Sequence, residues 1–328
     1  MLNTSIKYMD YFIPQTSITV EEVIAKSEEK HIIPGDNIEE FCKQFKRESR
    51  IDEVSSFAQE DDLIKIITEM VERLFCDTGI DPSEVSYLVG GNRVLMDGDI
   101  SIIHYIHEKF KLKNAVILPI FQPCVSTLFA MGLSRKLLNP IDREYMLILS
   151  INKEIDIKDR FIGLTVMGDG ISLVLVENRP GLINIKDWCA LNNGISSFSK
   201  RENLGNAISL LQIRSNIIKN GACFILKSVE QFGISIDDVD IIIPPNTYYD
   251  VWDKVYSNLL EIDSSKFYLD NFGYGGHVND VDFVRNIKDY MDKCLYREKD
   301  ENMLVYGKDI IASNDMNYQT VFLEIKKN

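Results

Sequence analysis

The chain alternates short apolar runs with stretches of helical periodicity, and the switch is sharpest between Ala115 and Leu138 (AVILPIFQPCVSTLFAMGLSRKLL). Ala115 to Ile120 is an unbroken apolar run, too short for a buried helix and rich in branched residues, which predicts a central strand. Pro119 is out of character there, because proline donates nothing to a sheet ladder. Gln122 and Pro123 end the run. From Cys124 the apolar positions Leu128, Met131, Leu133, Leu137 and Leu138 take helical spacing, with Ser126 and Thr127 in the first turn. Cys124 therefore stands where a buried strand turns into a buried helix.

The same alternation runs through the rest of the chain. Thr19 to Lys30 and Asn37 to Lys46 predict short amphipathic helices, and Asp61 to Cys76 a longer one with acidic residues at its start. Val85 to Val89 predicts a strand ending at Gly90-Gly91, Ile100 to Phe110 a helix, and Tyr145 to Ile151 a second apolar strand. Ile162 to Glu177 reads as two strands joined at Gly168-Asp169-Gly170, a hairpin signal that Leu182 to Trp188 can extend. Asn206 to Phe232 is helical in character, with Gly221 as its weak point, and Val239 to Ile243 is another buried strand. GIDPSEVSYLV (Gly79 to Val89) and GISIDDVDIII (Gly233 to Ile243) echo one another, which suggests two similar α/β halves. Tyr248 to Leu260, Phe283 to Tyr296 and the closing strands Met303 to Tyr306 and Gln319 to Ile325 complete the second half.

Composition narrows the function. At 328 residues the chain exceeds the size at which one core keeps growing, and 45% apolar with 26% charged residues is ordinary for a globular protein. A formal net charge of −14 argues against nucleic acid and anionic membranes as partners. No apolar run reaches membrane-spanning length and nothing reads as a signal peptide, so a cytoplasmic location is expected. The six cysteines show no paired spacing, which fits reduced thiols better than disulfides or a zinc site. His104 and His107 have helical spacing but no evident third ligand, so no metal is expected. Cys124 stands out by position: a helix N-terminus favours the thiolate and makes it a candidate nucleophile, against the plainer role of a small buried hydrophobe.

In their order, the motifs resemble a thiolase-fold condensing enzyme of the β-ketoacyl-carrier-protein synthase III type. FIPQTSITVEEVIA (Phe12 to Ala25) resembles the family's opening, GIDPSEVSYLV a strand before the active-site half, and PCVSTLFAMGLSRKLL the segment bearing the nucleophilic cysteine. Asp159-Arg160 followed by MGDGISLVLVE is similar to "DR…FGDGAxAxVL", IIIPPNTYYDVWDKV to "WLVPHQANxRIxxxV", and NFGYGGHVNDVDFV to "KYGNTSAASxPxAL". The resemblance implies an α/β, five-layered αβαβα fold with two halves, residues 1–175 carrying the nucleophile and residues 176–328. It also implies pairing through Ala115 to Ile120, as a homodimer or as a heterodimer with a thiolase-fold paralogue.

The divergence is concentrated at the chemistry. The family's histidine falls on Pro245, its asparagine on Tyr274, and its glycine-rich loop on GKDIIASN (Gly307 to Asn314), where glycine is nearly absent. Lost oxyanion donors cost roughly two to three powers of ten each, so decarboxylative condensation by the usual route is not expected. His277 in the Tyr-Gly-Gly-His loop is a candidate base, or a loop histidine bonded to backbone. Tyr274 either donates to an oxyanion or plugs the old site. Phe41 and Phe45 take the place of the residues that grip a pantetheine arm, and Asn246 either lines the substrate site or caps the next helix. The leading reading is an acyltransferase that forms an acyl thioester on Cys124. Its donor is an acyl-CoA or acyl carrier protein, it needs no cofactor, and the acyl group passes to an acceptor in specialised or fatty-acid-related biosynthesis. The alternatives are a catalytically degenerate subunit supporting an active paralogue, and a condensing synthase with a rewired site.

Overall fold

Unbroken apolar runs form the strands and one-sided apolar stripes form the helices, so the order of elements follows the order of patterns along the chain. The computed structural model describes residues 4–27, 37–58, 61–91, 96–97, 100–122, 124–139, 141–142, 144–154, 156–163, 165–193, 207–294, 296, 298–312 and 315–327. Within these the chain runs β1 (Thr4–Phe12), β2 (Ser17–Thr19), α1 (Val20–Lys26), α2 (Ile38–Ser49), β3 (Glu53–Ser55), α3 (Leu63–Thr78) and β4 (Val85–Gly91). It continues through β5 (Met96–Asp97), β6 (Ile100–Ser101), α4 (Ile102–Lys109), β7 (Val116–Ile120), α5 (Ser126–Leu137), β8 (Tyr145–Asn152) and β9 (Gly170–Glu177). The remainder is β10 (Ile183–Asn193), α6 (Ala207–Gln231), β11 (Ile241–Ile243), a π-helical turn (Val251–Tyr256), α7 (Ser257–Leu260), α8 (Val281–Lys293), β12 (Glu301–Ala312) and β13 (Asp315–Ile325).

Two half-sheets repeat one pattern. In the first, β4 lies parallel to β8, β8 antiparallel to β9, and β9 antiparallel to β1. In the second, β11 lies parallel to β12, β12 antiparallel to β13, and β13 antiparallel to β10. The halves join edge to edge where β1 meets β10 at Thr4–Ile185, Ser5–Asn184 and Ile6–Ile183, so the strands form one hydrogen-bonded order of nine with β7 and β11 at its edges. Pro119 sits on the β7 edge, opposite Gly90, where its missing N–H is tolerated. The sequence echo has a local cause. Gly79 and Gly233 adopt left-handed φ values of 65° and 75° after a helix. Glu84 and Asp238 then accept from the backbone N–H of Asp81 and Ser235, at 3.1 and 2.8 Å, and so cap the turn that leads into β4 or β11.

Side-chain alternation along the strands builds the layers. Leu147, Leu149, Leu173 and Leu175 face α3 and α4 in one apolar cluster. Met146, Ile148, Val174 and Val176 point the other way, against Leu128 and Met131 of α5 and Phe283, Val284 and Ile287 of α8. Met303, Val305, Val321 and Leu323 of the second half-sheet close that same central cluster. Leu304, Tyr306 and Tyr318 turn outward to Phe224, Ile225 and Val229 of α6 and to Trp252 and Tyr256. The result is five layers, αβαβα, with α5 and α8 between the half-sheets. Among the described residues no helix is long and apolar enough to cross a membrane.

The expected hairpin over Ile162 to Glu177 forms only its second strand, β9. The preceding residues make isolated bridges, Phe161 to Val166 and Met167 to His277. Arg160 causes this: it is buried, and its guanidinium binds both carboxylate oxygens of Asp169, at 3.0 and 2.8 Å, as well as the carbonyls of Met167, Ser55 and Glu154. The loop is tied down to that ion pair rather than to a neighbouring strand.

Candidate active site

Cys124 occupies a tight turn between β7 and α5. The Val125 N–H donates to the Gln122 carbonyl at 3.0 Å, and Ser126 Oγ both accepts from Gln122 N and donates to its carbonyl. Gln122 is held in turn from β13, since its Oε1 accepts from Asn317 Nδ2 at 3.1 Å and from Gln319 Nε2. This bracing keeps Cys124 at φ +65°, a left-handed backbone that costs a non-glycine residue roughly 1–3 kcal/mol. The thiol is half-buried.

The thiol's proton is already placed. Cys124 Sγ donates to Asn279 Oδ1 at 2.6 Å. Asn279 Nδ2 donates to Asn152 Oδ1, and Asn152 Nδ2 to the Gly168 carbonyl. That directed chain fixes which way the Asn279 amide points and commits its N–H groups away from the sulfur. A bond accepted from the neutral thiol holds the proton on sulfur. Asn279 itself is buried at φ +51° in the turn before α8.

The neighbouring Asp280 alters the expected role of the helix. Its Oδ1 accepts from Thr127 N at 2.9 Å, and Ser126 N–H also binds it, so a carboxylate occupies the first free amides of α5. The positive end of the helix is therefore covered by an acid and not left open to Cys124. Complete burial pushes Asp280 up to about 7, with Asp309 adding to the rise and the amide bonds opposing it.

The predicted site residues separate into two groups. His277 and Asn246 converge on one buried acid: His277 Nδ1 lies 2.5 Å from Asp282 Oδ2, which also accepts from Asn246 N at 2.8 Å. Asn246 Oδ1 accepts from Asn286 Nδ2. His277 is thus an oriented histidine, two residues from Asn279. Three others are engaged elsewhere. Tyr274 donates its hydroxyl to the Pro14 carbonyl at 3.0 Å, which ties the loop to the end of β1 and spends the phenol. Phe45 is 3% exposed, packed edge-on to Phe161 and Tyr248 beneath α2, and offers no stacking surface. Phe41 is half-buried against Phe161 in the same cluster. His104 bonds Ser101 Oγ and His107 the Ala115 carbonyl, and among the described residues no three His, Cys, Asp or Glu are grouped to hold a metal. His31 lies outside the described residues.

The described residues of the stretch equated with a glycine-rich loop, Gly307 to Ala312, are strand, the end of β12, which pairs with β13. Within it Lys308 turns to the outer face of the sheet, its Nζ 5.8 Å from the Trp252 ring centroid, and burial drives its amine down to about 8. Asn279, Asp280 and Asn152 were not singled out from sequence. The available signal was an Asn-Asp pair just beyond His277 in a loop already marked as functional.

The order and stacking of these elements define a thiolase fold: two half-sheets around paired central helices, with a cysteine at the start of one of them. More particularly, the chain is similar, at a distance, to β-ketoacyl-carrier-protein synthase III. It is 23% identical to a β-ketoacyl-[acyl-carrier-protein] synthase III of Clostridium acetobutylicum over 218 residues, a stretch covering 61% of this chain and 66% of that protein. Among solved structures it is similar to the acyltransferase ChlB3, with a TM-score of 0.77 at 12% identity over 99% of this chain and 98% of that one. The 3-oxoacyl-[acyl-carrier-protein] synthase III of Aquifex aeolicus superposes with a TM-score of 0.73 at 15% identity, over 98% and 99% of the two chains. No protein-family model matches.

Proposed function

We propose that the chain is an acyltransferase that takes an acyl group onto Cys124 from a CoA or carrier-protein thioester and passes it to an acceptor nucleophile. The observation that carries this reading is the half-buried thiol on a strained turn at the head of a helix buried between the two half-sheets. The thiolase fold and the similarity to a carrier-protein synthase and an acyltransferase support it.

Chemically, the sulfur attacks the thioester carbonyl, the carrier thiol leaves with the proton given up by Cys124, and an enzyme thioester remains. An amine, hydroxyl or thiol then attacks that thioester, and its proton returns to the Cys124 sulfur. Neither step needs a resident cofactor or metal. Decarboxylative condensation is disfavoured, because Pro245 has no donor and the Asn279 amide N–H is spent on Asn152.

A supporting-subunit reading rests on the proton held between Cys124 and Asn279 and on the Asp280 carboxylate over the helix start. One experiment decides. The intact protein is incubated with acetyl-, hexanoyl-, lauroyl- and malonyl-CoA and with the matching acyl-pantetheines, then weighed by mass spectrometry. A thioester adduct lost in Cys124→Ala is expected, without carbon dioxide release from malonyl-CoA. Absence of any adduct on natively folded protein would hand the case to the supporting subunit. Carbon dioxide release would mean condensation survives.

A further inference from the structure

The transfer chemistry above leaves the buried imidazole of His277 without a task. Asp282 fixes the ring. Its Oδ1 accepts from Val278 N at 2.9 Å and its Oδ2 from Asn246 N at 2.8 Å. A carboxyl group already accepting on both oxygens takes the His277 bond as well, at 2.5 Å, so the bonds around the ring assign Nδ1 as the donor and leave Nε2 as the basic nitrogen. Among the described residues none bonds Nε2, which is not sealed: the His277 side chain keeps 3% exposure where that of Asp282 keeps none.

Contacts on two sides place this ring at the site. Nδ1 and Asn246 N share one carboxylate oxygen, so the imidazole lies beside the peptide that follows Pro245, where the family's histidine would fall. On the other side, His277 N donates to the Val166 carbonyl at 3.0 Å and the His277 carbonyl accepts from Gly168 N at 2.9 Å. The Gly168 carbonyl accepts in turn from Asn152, which Asn279 bonds while holding the Cys124 thiol at 2.6 Å. The residue that carries the imidazole and the residue that holds the thiol are therefore two positions apart on one braced turn. Gly275 and Gly276 lead the chain into it at φ values of 88° and 71°, and a Cβ on Gly276 would stand 2.6 Å from Val54 Cγ1.

We propose that the acceptor is a hydroxyl compound, that His277 is the base that takes its proton, and that the product is an ester. This rests on the acyltransferase reading. An alcohol barely ionises near neutral pH and attacks a thioester only as its proton is removed, whereas a thiol supplies its own thiolate and a neutral amine its own lone pair. An imidazole oriented by a buried carboxylate answers the need of the hydroxyl. In the transfer, Nε2 takes the hydroxyl proton as the oxygen bonds to the acyl carbon of the Cys124 thioester. The tetrahedral adduct then breaks its C–S bond and the ester leaves. The imidazolium gives the same proton to the departing sulfur, which was one bond from the attacked carbon. Ring and thiol end in their starting forms, so atoms and charge balance. Asp282 orients the ring and offsets its transient charge.

The test separates loading from discharge. Acetyl-Cys124 is formed from acetyl-CoA and freed of excess donor. Its decay is then followed by intact-mass spectrometry in ethanol or ethanethiol, two nucleophiles of similar size. His277→Asn keeps an amide N–H where Nδ1 donates to Asp282 but has no basic nitrogen. In that variant discharge to ethanol should slow by roughly two powers of ten or more, the range of a general base, while discharge to ethanethiol stays as in the wild type. Equal ethanol rates in the two proteins overturn the proposal and leave the acyltransferase reading standing. An equal fall in both discharge rates means that His277 only holds the loop, and overturns it as well. Absence of an adduct on the wild type removes the acyltransferase reading and this proposal with it. Should His277→Asn fail to fold, the wild type decides alone. Its preference for ethanol over ethanethiol should exceed that of free acetyl-N-acetylcysteamine by roughly two powers of ten, and an equal preference overturns the proposal.

Discussion

The acid that caps α5 makes the sharpest prediction. Asp280 is fully buried, accepts from Thr127 N at 2.9 Å, and sits at about 7 against an ordinary 3.8. The folded-state value lies above the unfolded one, so folding favours the protonated acid. That advantage is complete below about pH 4 and is lost as pH rises through 7. The whole shift is worth roughly 4 kcal/mol, of which about 2–3 kcal/mol falls between pH 5 and pH 8. Asp280→Asn removes the titration while keeping an oxygen that can accept from Thr127 N. Urea unfolding of both proteins at pH 5, 6, 7 and 8 should therefore show the variant gaining on the wild type by about 2–3 kcal/mol across that range. Other titrating groups cancel in the comparison. A stability difference that stays flat from pH 5 to pH 8 refutes the reasoning, because Asp280 would then be an ordinary ionised cap. The same variant removes the negative charge at the start of α5 and should speed Cys124 alkylation at pH 7.5.

Other expectations follow from neighbouring contacts. Asn279→Asp puts a carboxylate against the thiol, which disfavours the thiolate and should slow iodoacetamide alkylation at pH 7.5 by roughly tenfold; an unchanged rate would mean the Cys124–Asn279 bond does not govern the proton. Arg160→Met strips the guanidinium from buried Asp169 and should cost about 3–5 kcal/mol in urea unfolding, far more than a surface ion pair. The edge strand β7, with Val116 54% exposed, is expected to pair with a second copy or with a thiolase-fold paralogue. Light scattering at micromolar concentration should return a dimer that Val116→Lys converts to monomer, and a monomeric wild type would discard the homodimer.

What the chain announces locally and what it hides differ by sequence distance. The runs at Tyr145 to Ile151 and Val239 to Ile243, the helix at Asp61 to Cys76 and the strand-to-helix turn at Cys124 are legible because periodicity acts over a few residues. The repeated glycine, acid and apolar run at Gly79 and Gly233 likewise reflects a left-handed cap followed by a capped turn, both local devices. The resemblance carried by the motif order reached the five-layered fold for the same reason.

The site itself was decided by contacts no local pattern encodes. Asn279 meets Cys124 across 155 positions, and Asp280 meets Thr127 across 153. Pairing these elements depends on α5 and α8 packing side by side between the half-sheets, which is a property of the assembled core. Tyr274 and Phe45 illustrate the converse. Their motif positions pointed to the chemistry, but a backbone carbonyl of Pro14 and the rings of Phe161 and Tyr248 lay closer once the chain had folded. Cys124 was visible from sequence because its strand and helix are adjacent; whether its proton faces an open helix end or an amide oxygen was settled by residues brought in from the far half of the chain.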